Sequence, residues 1–169
     1  MIMLGNIVGA IGVALSVIIY QQNKGRKLLV YKLISNFVWA LHYFLLGGVL
    51  GAVVALIGVV REFTFLNKDK KWAASKLWLV LFIVISVTAA ILNWKNIYSI
   101  LPAIASVTSV FSFWVGNPKL SRILSFPISA CMLIYDIPLK AVLGIVNEIF
   151  TCTSSVVGII RTKIQEKSN

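Results

Sequence analysis

The sequence has 169 residues, 59% hydrophobic and 12% charged, against about 45–50% apolar and about 25% charged in ordinary soluble domains. Its 16 Lys+Arg against 5 Asp+Glu lie between long apolar runs instead of on one solvated face. That excludes a nucleic-acid binder and makes the charge a matter of membrane topology. At about 20 apolar residues per crossing, the chain holds seven spans and leaves no room for a soluble domain.

The first predicted span covers 4–20 and ends in Gln21-Gln22-Asn23-Lys24-Gly25-Arg26-Lys27. No basic side chain precedes it and no small-residue cleavage site follows, so it reads as an uncleaved span and not a signal peptide. Span two, 33–46, stops at Gly47-Gly48, since paired glycines break helices and permit turns. Span three is 49–66. The polar patch Asn67-Lys68-Asp69-Lys70-Lys71 precedes span four, 77–92, and Asn93-Trp94-Lys95-Asn96 connects it to span five, 97–115. Gly116-Asn117-Pro118-Lys119 is a turn by composition. Span six is 120–135, Asp136-Ile137-Pro138-Leu139-Lys140 a short connection, and span seven 141–160, followed by a polar, frayed tail from Arg161. Trp72, Trp78, Trp94 and Trp114 stand near span ends, as interfacial anchors do.

Basic residues in short loops stay cytoplasmic. Lys24, Arg26, Lys27 and Lys32 follow span one; Arg61, Lys68, Lys70, Lys71 and Lys76 fall at span three; Lys119 and Arg122 follow span five; Arg161, Lys163 and Lys167 follow span seven. Only Lys95 and Lys140 remain for the other side. The sequence therefore predicts a plasma-membrane protein with its amino terminus outside and its carboxyl terminus in the cytoplasm.

The chain also matches itself weakly. At an offset of 93, Ile7, Ala10, Ile11, Ser16 and Val17 pair with Ile100, Ala103, Ile104, Ser109 and Val110, and Val49-Leu50-Gly51 pairs with Val142-Leu143-Gly144. A basic loop follows the first and third span of each half, so both halves point the same way. Two parallel three-span units need one helix between them. The expected fold class is thus all-α integral membrane, seven transmembrane helices as 3+1+3: a first unit at 1–66, a basic loop and linker helix at 67–95, a second unit at 96–163, and a cytoplasmic tail at 164–169.

This arrangement resembles the SWEET sugar facilitators, the PnuC vitamin transporters and the wider PQ-loop group. The whole chain is similar to the YgjV family of bacterial inner-membrane proteins, in length, in Tyr20-Gln21-Gln22-Asn23-Lys24-Gly25-Arg26-Lys27 and in Trp39-Ala40-Leu41-His42-Tyr43-Phe44-Leu45-Leu46-Gly47. SWEETs place prolines in the first and second helix of each unit. Here Pro102 and Pro127 are present in the second unit only, with Gly9 and Ser35 at the matching first-unit positions, so the resemblance implies hinges at Pro102 and Pro127 without paired counterparts.

Glu148 is the one acidic side chain that these boundaries place well inside a span. A charge at the bilayer centre costs about 2.5–3.5 kcal/mol on insertion scales, so it faces a cavity or a partner. With Thr151, Cys152 and Ser155 it forms a stripe at i, i+3, i+4 and i+7, flanked by Asn147 and Ser154. That stripe is either the face of a solute pocket or a polar seam between helices. His42, the only histidine, lies at similar depth, so a His42–Glu148 contact is expected if spans two and seven face one another; the plainer role is a histidine bonded to a loop. Asn36, Trp39 and Tyr43 make an aromatic-amide face suited to sugar rings or planar heterocycles, or simply to packing. Pro102, Ser106 and Ser109 form a comparable line on span five. The stripes Gly5, Gly9, Gly12 and Gly51, Ala55, Gly58 read as close helix packing.

Cys131 and Cys152 lie in apolar runs without metal or disulfide spacing. No phosphate-binding loop, dinucleotide motif, zinc-protease or serine-hydrolase signature occurs, so neither an enzyme nor a cofactor is expected. The expected partners are the lipid bilayer, a small polar solute and, beyond these, a second copy of the chain. Resemblance and Glu148 together imply a facilitator or proton-linked carrier of a polar metabolite. The rival is a non-transporting membrane receptor or assembly partner, since the KDEL-receptor relatives of this architecture recognise peptide signals, with Lys68 to Lys76 as the docking surface.

Overall fold

The computed structural model describes residues 2–45, 49–92, 94, 97–139 and 142–168. Regular structure among them is all helical: α1 (Ile2–Gln21), α2 (Gly25–Leu45), α3 (Val49–Leu66), α4 (Leu77–Leu92), a 3-10 turn (Ile97–Ser99), α5 (Ile100–Val115), α6 (Pro118–Leu139) and α7 (Val142–Ser168). These seven α-helices fall on the seven expected spans, α3 and α4 with the expected bounds. Gly47-Gly48, Lys95 and Lys140 lie outside the described residues.

Four helices depart clearly from their expected bounds; α6 runs Pro118–Leu139, so the expected connection from Asp136 is helical through Leu139. α2 begins at Gly25 and not at residue 33, because Arg26, Lys27 and Lys32 are good helix formers and carry the helix past its apolar run. α7 likewise continues to Ser168, so the segment expected to fray is helical. α5 begins at Ile100 after the 3-10 turn, which puts Pro102 in the first turn of the helix, where a missing N–H interrupts no ladder bond. Pro127 is exposed midway along a continuous α6.

Turn chemistry positions α6. Gly116 adopts φ 68°, a left-handed conformation open to glycine without a Cβ penalty. Asn117 then caps α6: its Oδ1 accepts from the backbone N–H of Lys119 at 2.9 Å and of Leu120 at 3.5 Å, and Pro118 fills the first helical position.

Helix neighbours run α1–α2–α3 and α5–α6–α7; α1 against α7 joins the two sets on one side, α3 touches α5 lightly on the other, and α4 packs on α5. The contacts fix the directions. Residues of α1 and the turn after it meet progressively later residues of α7, Gly9 with Leu143, Ser16 with Asn147, Gln21 with Ser154 and Asn23 with Gln165, so these helices run parallel. α1 and α2 run antiparallel, with Trp39 over Gly12 and His42 over Gly9. An aromatic cluster closes the end where α1, α3 and α5 finish: Phe65 is edge-on to Phe82 and Trp114, centroids 5.7 and 5.2 Å away.

By length and composition, two helices are long and apolar enough to cross a membrane, over Met3–Gln21 and Val142–Gln165. Leu77–Leu92 and Ile100–Val115 are apolar but shorter; 16 residues rise about 24 Å against a hydrocarbon thickness of about 30 Å.

Candidate functional site

Buried polar side chains gather along α7 where it meets α1 and α6. Glu148 is buried. Ser129 of α6 donates to its Oε2 at 2.5 Å and Asn147 Nδ2 to its Oε1 at 3.0 Å. Ser16 of α1 in turn donates to Asn147 Oδ1 at 2.6 Å. The carboxylate therefore accepts from neutral donors on α6 and on its own helix, and α1 joins through Asn147.

Below it the stripe becomes a seam. Ser154 donates to Val17 O and receives Gln21 Nε2 at 3.0 Å, while Ser155 meets Ser125 of α6 at 2.7 Å. Thr151, also buried, lies between these contacts and Glu148. At the foot of the seam Arg122 is wholly buried. Its Nε donates to Tyr20 O at 2.7 Å, Nη1 to Thr162 Oγ1 at 2.7 Å, and Nη2 to Gln22 O and Asn23 Oδ1, both at 2.8 Å. It thus satisfies carbonyls that the end of α1 leaves open, at the negative pole of that helix. Arg122, counted as a loop charge from sequence, is a structural cap.

A second carboxylate was missed. Glu62 of α3 is fully buried; its Oε2 accepts from Asn36 Nδ2 at 3.0 Å and its Oε1 from Arg61 Nε at 3.2 Å and Nη2 at 2.8 Å. From sequence only Glu148 stands deep in a span, because Glu62 sits beside Arg61, close to a predicted span end. The usable signal was Arg61-Glu62 inside the apolar run Val49 to Leu66, with Asn36 on the preceding span. Both carboxylates lie inside the bundle, Glu62 between α2 and α3 and Glu148 between α6 and α7.

The other predicted residues divide. His42 does not bond to Glu148: its Nδ1 is 2.7 Å from Gly5 O, its ring packs edge-on to Trp39 at 5.2 Å, and both rings lie on the small-residue face of α1. The glycine stripe, read as packing, is what lets them approach. Trp39 thus belongs to the α1–α2 seam and Asn36 to Glu62 and the α2–α3 seam. Ser109 is partly buried on α5; its neighbour in the expected line, Ser106, bonds to Ser86 of α4 at 2.9 Å, away from Glu148. The Tyr43 side chain lies outside the described residues. Two apolar grooves occur on outer faces, one lined by Trp72, Leu77, Trp78 and Leu81, the other by Val53, Leu56, Val60 and Phe82. Neither contains an expected site residue. Among the described residues no three His, Cys, Asp or Glu side chains are placed to hold a metal ion.

A polar interior enclosed by helices whose outer faces carry exposed Ile7, Ile11, Val80, Val84, Ile149 and Ile160 is the reverse of a soluble protein's distribution. Residues 3–166 match the family model Imp-YgjV, described as a bacterial inner membrane protein. The chain belongs to the Imp-YgjV family. No curated protein and no solved structure matches it. Membership in this inner-membrane family makes the exposed apolar surface lipid-facing. Lipid tails are as apolar as leucine, so packing and hydrogen bonds between helices, not hydrophobic burial, hold such a bundle together. The α1–α7–α6 seam and the close approach at Gly9, Gly12 and Gly58 supply both.

Proposed function

We propose that this Imp-YgjV protein is a carrier for a small polar solute, built as two parallel three-helix units, α1–α3 and α5–α7, joined by α4, as in the SWEET and PQ-loop architecture its sequence resembles. In this reading the amino terminus faces outward and the basic ends of α1, α3, α5 and α7 face the cytoplasm. The observation that carries the proposal is the pair of buried carboxylates, Glu62 from one unit and Glu148 from the other, each hydrogen-bonded to a polar side chain of a neighbouring helix. Buried ionisable groups in a membrane protein are costly and mark solute or proton pathways, and carriers built from repeats bind at the junction of the repeats.

The roles follow from the contacts. Glu62 is already neutralised by Arg61 and positions that cation. Glu148, held among the described residues by the neutral donors Ser129 and Asn147, takes the role of exchanging a proton as the units move. Thr151 flanks it, while Trp39 and His42 brace α2 on α1.

The test combines uptake and topology. Purified protein in liposomes should accumulate one chemical class of labelled metabolite, and Glu148→Gln should abolish uptake while the protein remains folded. Reporter fusions should place the ends of α1, α3, α5 and α7 in the cytoplasm. No uptake of any class, together with loss of cellular function on neutralising Lys70, Lys71 and Lys76 but not on Glu148→Gln, would refute the carrier in favour of a receptor that docks a partner on its basic loop.

A further inference from the structure

The inner end of the interior, between α2, α3 and α5, is rich in hydrogen-bond donors and short of acceptors. Lys32 of α2 and Arg61 of α3 both lean on the Phe113 ring of α5, Nζ 5.7 Å and Cζ 5.9 Å from its centroid. Arg61 spends its Nε and Nη2 on Glu62, and Glu62 divides its two oxygens between Arg61 and Asn36. Lys32 therefore has no hydrogen-bond acceptor among the described residues, only the π face of Phe113 and the more distant charges of Glu62 and Glu148. Two hydroxyls on these helices are orphans: Ser35, one turn from Lys32 on α2, and Ser112, which precedes Phe113 on α5, are each 1% exposed and without a hydrogen-bond partner among the described residues.

Buried hydroxyls normally find partners, and the ammonium of half-buried Lys32 is a charged donor for which an anion is the strongest acceptor. Local charge gives the same sign when Glu148 is neutral: Lys32 and Arg61 against Glu62 then leave one positive charge in excess, which an ionised Glu148 cancels. The seam concerned is the lightly packed one between α3 and α5, near the end of the bundle where the basic loops lie.

We propose that this cluster is an anion site, in which Lys32, the remaining N–H groups of Arg61 and the hydroxyls of Ser35 and Ser112 hold the carboxylate or phosphate group of a small solute on the floor formed by Phe113. It rests on the carrier reading and gives that carrier a substrate class. Glu148 supplies the coupling. When ionised it competes for the field of Lys32; when neutral it leaves Lys32 to the anion. Proton and anion thus favour each other's binding, a linkage that is reciprocal by necessity. Glu62 and Arg61 stay paired in both states.

The experiment measures thermal stability of the protein in lipid nanodiscs against succinate and inorganic phosphate, with sodium chloride at matched ionic strength and a neutral sugar as references. The expected result is stabilisation by succinate or phosphate alone. A charge-assisted hydrogen bond is worth about tenfold or more in affinity, so Lys32→Gln should weaken binding at least about tenfold. Ser112→Ala, which leaves every charge in place, should weaken it about threefold to tenfold, and exposed Arg26→Gln should leave it unchanged. Glu148→Gln should tighten anion binding severalfold. If Lys32→Gln fails to fold, Ser112→Ala and Glu148→Gln carry the test.

The outcomes separate the two ideas. Stabilisation and uptake of the neutral sugar with none by the anions would overturn the anion site and keep the carrier. Anion binding that follows the variants as stated, without uptake in liposomes, would keep the site and remove the carrier. Anion stabilisation equal in Ser112→Ala, Lys32→Gln and the parent would show binding elsewhere and overturn the proposal.

Discussion

Replacing Arg122 by methionine tests the seam that joins α1, α6 and α7. Methionine keeps the apolar stem and removes four donated hydrogen bonds, to Tyr20 O, Gln22 O, Asn23 Oδ1 and Thr162 Oγ1. At about 1.5–3 kcal/mol each their sum overstates the loss. The desolvation cost of burying a guanidinium is returned, Thr162 keeps its bond to Gly158 O, and Asn23 keeps its bond to Gln165. What remains are the carbonyls of Tyr20 and Gln22, deprived of a cation at the end of α1, at about 1–3 kcal/mol apiece. The expected net loss is about 2–5 kcal/mol, which for a chain of this size is a fall in melting temperature of roughly 5–15 °C. Thermal unfolding of detergent-solubilised protein, followed by loss of the monodisperse chromatographic peak, reads it. Arg122→Lys, able to keep one or two of the bonds, should fall between. A methionine variant within a degree or two of the parent would refute the view that this buried cation organises the end of α1.

The turns and the carboxylate centres give further expectations. A Cβ on Gly25 would strike the backbone carbonyl of Gly116, which cannot yield as a side chain would, so Gly25→Ala should cost about 1–3 kcal/mol, read by the same melting assay. Asn117→Ala removes the α6 cap and should cost about 1 kcal/mol, with Asn117→Ser restoring most of it. Glu148→Gln keeps an oxygen for Ser129 and should melt within about 1 kcal/mol of the parent, so that any loss of transport is not a loss of fold. Glu62→Gln, by contrast, strips Arg61 of its salt bridge to Glu62 and should lower stability by about 3–5 kcal/mol, as removal of one partner from a buried pair does.

The places where sequence and structure part company have a common cause. Helix positions were legible because run length and the punctuation of Gly116-Asn117-Pro118 are local properties, and Glu148 was legible because one acid in a long apolar run has no local explanation. Glu62 was not, since an acid beside Arg61 near a helix end looks like interface chemistry until α2 brings Asn36 against it. His42 and Glu148 were matched for depth, yet depth says nothing of rotation. The α2 face carrying His42 turns toward Gly5 and Gly9 of α1, while Glu148 turns toward α6. Arg122 counts as a cytoplasmic charge because it falls at the very start of span six, 120–135, and only the packing of α6 against α1 and α7 gives its guanidinium acceptors and buries it.

From its composition and apolar runs alone, this chain was committed to an all-helical membrane protein with seven helices and one conspicuous buried acid. Only the tertiary structure decided which polar groups meet: Glu62 with Asn36 and Arg61, Glu148 with Ser129 and Asn147, Arg122 with the end of α1. In a soluble protein the hydrophobic stripe of each helix announces its inward face. Here lipid and protein interior are alike apolar, so that signal is faint, and the rotation of each helix is set by glycine contacts and hydrogen bonds that exist only once the helices are side by side.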